Sequence, residues 1–105
     1  MEIIETSVFT RQVLRLLTDD EYRKLQAVLA SRPTVGDLIR GSGGLRKHRW
    51  GIGDKGKRGG IRVIYYWAPA LDQLLMLFMY PKTERDDLSD EQVRVLRAIV
   101  REEYP

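Results

Sequence analysis

The chain has no cysteine and only one histidine, His48, in 105 residues. Without thiols it has no disulfide, no thiolate zinc site and no cysteine nucleophile. A single imidazole excludes multi-histidine metal centres and any ribonuclease mechanism built on two histidines. Catalysis is therefore left to Lys, Arg, Tyr or carboxylates. Long apolar runs are also missing: the longest, Leu74 to Pro81, falls far short of the roughly 18 residues of a membrane span. The opening residues MEIIETS hold two acids and no basic segment, unlike a secretory signal, so a cytoplasmic location is expected. Glycine is absent outside one stretch, since all nine glycines lie between Gly36 and Gly60.

That stretch organises the chain. Eight lysines and arginines fall between Arg40 and Arg62, interrupted by one acid, Asp54, while the remaining residues carry ten basic groups against fourteen acidic ones. The formal net charge of +3 thus hides a strong dipole. Glycines give no packing area and unpaired buried charges cost several kcal/mol each, so this segment reads as surface. Like charges about 7 Å apart in water repel by roughly 0.6 kcal/mol per pair. A cluster this dense calls for salt screening or an opposing polyanion, phosphates above all.

With 43% hydrophobic and 31% charged residues, the composition is that of one globular domain spanning 1–105. Glu2 to Thr6 reads as an opening strand. Thr6 or Ser7 caps a helix with Phe9, Val13, Leu16 and Leu17 on one face. Thr18-x-x-Glu21 is a capping box for a second helix, striped by Tyr22, Leu25 and Leu29 and ended by Pro33. Leu45 to Trp50, Ile61 to Trp67 and Leu74 to Tyr80 read as strands, the last two joined as a hairpin through Ala68 to Gln73. Leu74 to Tyr80 is apolar on both faces and is expected to be the central strand. Ser89-x-x-Gln92 opens a C-terminal helix with Val93, Leu96, Ile99 and Val100 inward. The order βααβββα predicts an α+β domain with an antiparallel sheet, helices on one face and the other face partly open.

Gly51-x-Gly53-x-x-Gly56 matches a dinucleotide fingerprint in letters, and Gly51-x-x-x-x-Gly56-Lys57 nearly matches a phosphate loop. Both need a helix directly after the glycines, whereas here Arg58 and then a strand follow, so both are rejected. The stretch reads better as a basic loop between two strands, with Lys55, Lys57 and Arg58 able to follow an irregular polyanion. The alternation of the preceding strand sends Lys47 and Arg49 to one face and Arg46, His48 and Trp50 to the other. Arg62 is the sharpest single residue: a guanidinium in an otherwise apolar strand must face the open side, an anion or a structural carboxylate. Among Tyr65, Tyr66 and Trp67, two belong to a core and one is available to stack on a base. Tyr80 and Lys82 end the last strand, where polar groups of a sheet site gather.

The runs G-S-G-G-L-R-K, G-K-R-G-G-x-R-V-I-Y-Y and Y-x-K-x-E-x-x-D-L resemble the HigB2-type branch of the RelE/ParE toxin superfamily, over nearly the whole chain. The resemblance implies two N-terminal helices on a twisted antiparallel sheet. It also implies a type II toxin, neutralised by an antitoxin of the HigA-like helix-turn-helix kind, that enters the ribosomal A site and cuts mRNA without a cofactor. Carried over, the basic pair on the strand before the loop falls on Lys47 and Arg49, and the strand arginine after the glycines on Arg62. RelE's Gly-Lys-Arg-Glu run has no direct counterpart: this chain has Pro81, Lys82, Thr83 and Glu84, with Thr83 in the arginine's place. Tyr80, Lys82 or Arg85 are the groups left to compensate, and which acts as base or acid stays open. The expected catalytic set is Arg62, Lys47, Arg49, Lys82 and Tyr80, and the expected RNA contacts are Arg46, Lys55, Lys57, Arg58 and Tyr65. Two other readings remain: a ParE-like gyrase poison of the same fold, and an RNA- or ribosome-binding protein without chemistry.

Overall fold

Thr6 both ends the first strand and starts the first helix. Strand β1 spans Glu2–Glu5. Helix α1, Ser7–Leu16, begins where the Thr6 side chain accepts the Phe9 N–H, a cap worth about 1 kcal/mol. Thr18 and Glu21 form a reciprocal capping box at the head of α2, Asp19–Ser31. The computed structural model describes residues 1–51 and 60–105. Strands β2 (Asp37–Leu38), β3 (Leu45–Trp50), β4 (Ile61–Ala68) and β5 (Gln73–Pro81) follow, with a short 3₁₀ turn, Pro69–Leu71, between the last two. Helix α3, Asp90–Glu103, starts at a second capping box formed by Ser89 and Gln92.

The five strands run in the order β1-β5-β4-β3-β2. The sheet is mixed, which corrects the antiparallel expectation. β1 lies parallel to β5, from Glu2 opposite Gln73 to Glu5 opposite Met76, and the other pairs are antiparallel. The cause is connectivity: the helical pair carries the chain away from β1, and the exposed edge of β1 is later met by a strand running the same way. β4 is the middle strand and β5 its neighbour. The two-residue β2 is too short for any periodicity to announce it.

A second correction concerns the faces. α1 and α2 cover one side, where Phe9, Val13, Leu25 and Leu29 pack with Ile61, Val63, Tyr65, Leu74, Met76 and Met79. The other side, expected to be partly open, carries α3, with Leu96 and Val100 packed on Leu45, Ile64, Leu75, Leu77 and Tyr80. A strand that is apolar on both faces needs cover on both, at about 1.5–3 kcal/mol for each large side chain buried. The C-terminal amphipathic helix supplies the second cover.

One irregularity in β5 decides which residues face α3. Tyr65 pairs with Met76 but Ile64 pairs with Phe78, leaving Leu77 as an extra residue. Such a bulge reverses the alternation downstream of it. Before it, odd-numbered Leu75 faces α3; after it, even-numbered Tyr80 does. α1 stabilises the irregular backbone: the Thr6 hydroxyl donates to the Leu77 carbonyl at 3.2 Å and the Gln12 side-chain carbonyl accepts the Met79 N–H at 2.7 Å.

The Gly41–Gly44 turn leads into β3. Gly41, Gly43 and Gly44 all have positive φ, at 71°, 72° and 108°, which L-residues with a Cβ rarely adopt. Between them the buried Ser42 accepts the Leu45 N–H at 3.0 Å and donates to the Ile39 carbonyl. This fixes the phase of β3, and with it the side on which each basic residue stands.

Candidate nucleic-acid interface

The register across three strands assembles the candidate site. On the α3 face, Arg49 lies directly opposite Arg62, and Arg62 directly opposite Tyr80. One pleat further along, Lys47 lies opposite Ile64 and Ile64 opposite Phe78. The sequence expectation that Lys47 and Arg49 share a face agrees with this placement, and Arg62 joins them on it. Two cationic side chains facing each other on neighbouring strands stand about 5 Å apart at Cβ, so they repel unless an anion lies between or above them.

An acid comes from the segment after β5. Asp87 Oδ1 accepts a charged hydrogen bond from Lys47 Nζ. That bond and the Lys47 charge, with smaller contributions from Arg49 and Arg62, hold the Asp87 carboxyl below the usual carboxylate range. Arg49 is exposed, whereas Arg62 is only 5% exposed. Arg62 is thus a buried cation whose charge reaches both Asp87 and Tyr80.

Tyr80 is 1% exposed. Burial pushes its phenol above the ordinary value, and the Asp87 carboxylate adds to the shift. Its hydroxyl donates to the Asp86 carbonyl at 3.4 Å, tying the segment after β5 back to the sheet. Arg85 lies over the Phe78 and Tyr80 rings, 5.9 and 5.8 Å from their centroids. Its Nε is buried with no hydrogen-bond partner among the described residues. Arg85 also lines an apolar groove of about 700 Å³ between β5, α3 and the start of α1.

Other expected site residues stand elsewhere. Arg46 faces the opposite side, with its guanidinium donating to the Thr34 and Gly36 carbonyls at 3.1 and 2.8 Å. That arrangement closes the loop leading to β2. Tyr65 is 0% exposed, and its hydroxyl donates to Pro33 and accepts from the Gly36 N–H. A ring buried in this way offers no face to a base, which corrects the expectation for Tyr65. Tyr66 and Trp67 are half-buried, and Tyr66 packs with Tyr104 at 5.5 Å. Lys82 is half-buried, and its backbone N–H donates to Gly60 at 3.1 Å, closing the end of the β4–β5 pair. Lys55, Lys57 and Arg58, with the glycine-rich matches around them, lie outside the described residues; the segment that holds them joins β3 and β4 at Trp50 and Ile61, next to the Arg49–Arg62 pair. The contribution of Asp87 was missed in the sequence. Its signal was its place as the aspartate of the Y-x-K-x-E-x-x-D-L run, to which no role was attached.

Among the described residues no group of three His, Asp or Glu is placed to hold a metal ion, and no helix is long and apolar enough to cross a membrane. What the arrangement can do is hold anions: an exposed arginine, a half-buried lysine and a buried arginine face one way, with a neutral phenol beneath. Compared with the known protein families, the chain matches no family model.

Proposed function

We propose that the protein is the toxin of a type II toxin-antitoxin pair and cleaves mRNA in the ribosomal A site, using no metal or organic cofactor. The observation that carries this reading is the cross-strand pair Arg49–Arg62, with Lys47 one pleat away on the same face. In a metal-free cut the ribose 2′-oxygen attacks its own 3′-phosphate and the 5′-oxygen leaves. Cations must hold the charge of the phosphorane, a group must accept the 2′-proton, and a donor must protonate the leaving oxygen. Arg62 suits the phosphorane role, because a guanidinium stays protonated and grips phosphate oxygens in pairs. Arg49 receives the flanking phosphate. Lys47, one pleat from the pair on the same face, holds a neighbouring phosphate. Tyr80 and Arg85 position the row from below, Tyr80 by holding the Asp86 segment. Lys55, Lys57 and Arg58 add positive charge between β3 and β4 in the chain. The ribosome supplies the positioning of mRNA, and a cognate antitoxin of the HigA-like kind neutralises the protein.

The test is primer extension on a defined mRNA with purified protein, with and without programmed ribosomes, for the wild type, Arg62→Ala and Arg49→Ala. Cuts that require ribosomes and fall about 10²–10³-fold in Arg62→Ala are expected. Because Arg49 is exposed, Arg49→Ala keeps the fold and separates lost chemistry from lost structure. Wild-type cleavage that survives both substitutions removes the site assignment. Wild-type protein that cuts nothing removes the nuclease reading, and inhibition of gyrase supercoiling then becomes the assay for the ParE-like alternative.

A further inference from the structure

Lys47, one pleat from the Arg49–Arg62 pair on the same face, does not face solvent directly. The Lys47 side chain is 18% exposed, and the carboxylate on its ammonium group belongs to a residue whose side chain is 74% exposed, Asp87. The order outward from the sheet is therefore cation, carboxylate, water. The same carboxylate feels Arg49 and Arg62. The segment carrying it is anchored by the Tyr80 hydroxyl on the Asp86 carbonyl and by the start of α3 at Ser89. Asp87 itself belongs to neither strand nor helix, so its side chain can turn away without breaking a backbone ladder.

A carboxylate oxygen on a lysine ammonium makes the charged hydrogen bond that a non-bridging phosphate oxygen would make there. An ion pair with one well-exposed member is held weakly, since water competes for both groups. We propose that Asp87 is a displaceable internal anion: in the free protein it occupies the position on Lys47 that a phosphodiester of single-stranded RNA takes on binding. This rests on the reading of the face as an RNA site and adds its regulation.

The consequence is selectivity among anions. An isolated phosphate gains Lys47 only by expelling a tethered carboxylate of similar affinity, so it gains little. A polyanion that also reaches Arg49 makes several contacts at once, and its second and later contacts form at high effective concentration. The latch therefore discriminates against small anions while leaving the polymer able to open it, the repulsive element that specificity requires.

The experiment measures two probes on three proteins: wild type, Asp87→Asn and Asp86→Asn. The probes are a fluorescein-labelled single-stranded RNA followed by anisotropy, and inorganic pyrophosphate followed by calorimetry. Asn keeps the size of the side chain and removes its charge. Asp86→Asn removes the same charge from the neighbouring exposed position. The expected result is binding about 3- to 10-fold tighter for both probes in Asp87→Asn, with the larger factor for pyrophosphate, and less than about 2-fold in Asp86→Asn. Equal effects of the two substitutions overturn the latch, because net charge alone then explains the gain. Weaker binding in Asp87→Asn also overturns it and makes Asp87 a fixed support for Lys47. Pyrophosphate tightening with no RNA bound by any of the three keeps the latch and removes the RNA reading instead.

Discussion

Arg62 and Tyr80 occupy directly opposed positions on β4 and β5 and face the same side of the sheet. The pair gives a test of division of labour. The Tyr80 phenol is buried and held above its usual pKa, so at neutral pH it is a hydrogen-bond donor and not a base. Tyr80→Phe keeps the ring packed on Phe78, 5.8 Å away, and loses only the tie to Asp86. Cleavage is expected to fall by no more than about 10-fold in Tyr80→Phe, against 10²-fold or more for Arg62→Ala. Equal losses in single-turnover rates would make Tyr80 a general acid that touches the leaving group.

The bulge at Leu77 sets a second expectation. Gln12 supplies the acceptor for the Met79 N–H beyond Glu5, the last residue that β1 pairs with β5. Gln12→Ala leaves that donor without its acceptor, at about 1–3 kcal/mol. In a domain of this size each kcal/mol lowers Tm by about 4–8 °C. Thermal denaturation followed by circular dichroism reads the effect, and a Tm within a degree of wild type would show that the bulge needs no support from α1.

Stability is expected to fall at alkaline pH. Burial, then the hydrogen bond and charge of Glu5, raise the Tyr22 phenol well above its ordinary 10.0, and burial raises Tyr65 as well. In the unfolded chain these phenols ionise near their ordinary value, whereas in the folded protein they keep the proton. Between the two pKa values the folded state binds more protons, so stability is fully present below about pH 10 and is lost as the pH climbs beyond it. A Tm profile from pH 8 to 11 checks this, with a shallower alkaline fall expected in Tyr22→Phe. An identical slope in that variant would assign the loss to other groups.

Salt provides an independent measure of the phosphate track. Three contacts from Lys47, Arg49 and Arg62, with up to three more from Lys55, Lys57 and Arg58, predict a log–log slope of roughly −2 to −4 for single-stranded RNA. Arg49→Ala should reduce it by about 0.7. A flat titration between low and high salt would remove the electrostatic basis of the site.

Much of the architecture was legible because its signals are local. Thr6, the Thr18–Glu21 box and the Ser89–Gln92 box place three helix starts through bonds spanning three residues. Alternation placed Lys47 and Arg49 together, since a strand has period two whatever it pairs with. Tyr65 was misplaced for the converse reason: aromatic residues favour strands on either face, and only the docking of its hydroxyl between Pro33 and Gly36 shows which one it takes. The parallel pairing of β1 joins residues about seventy positions apart, and no periodicity within either segment carries that information.

The amino-acid sequence by itself determined the helices, the three long strands and the concentration of positive charge around the glycines, because propensity, capping and charge are properties of neighbouring residues. The tertiary structure decided which of those charges meet. One extra residue at Leu77 turns Tyr80 to the α3 side, the strand register sets Arg62 between Arg49 and Tyr80, and the segment after β5 brings Asp87 onto Lys47 across forty positions of chain. Pairing of distant backbone is fixed by burying both faces of the sheet at once, a condition that only the whole chain can meet.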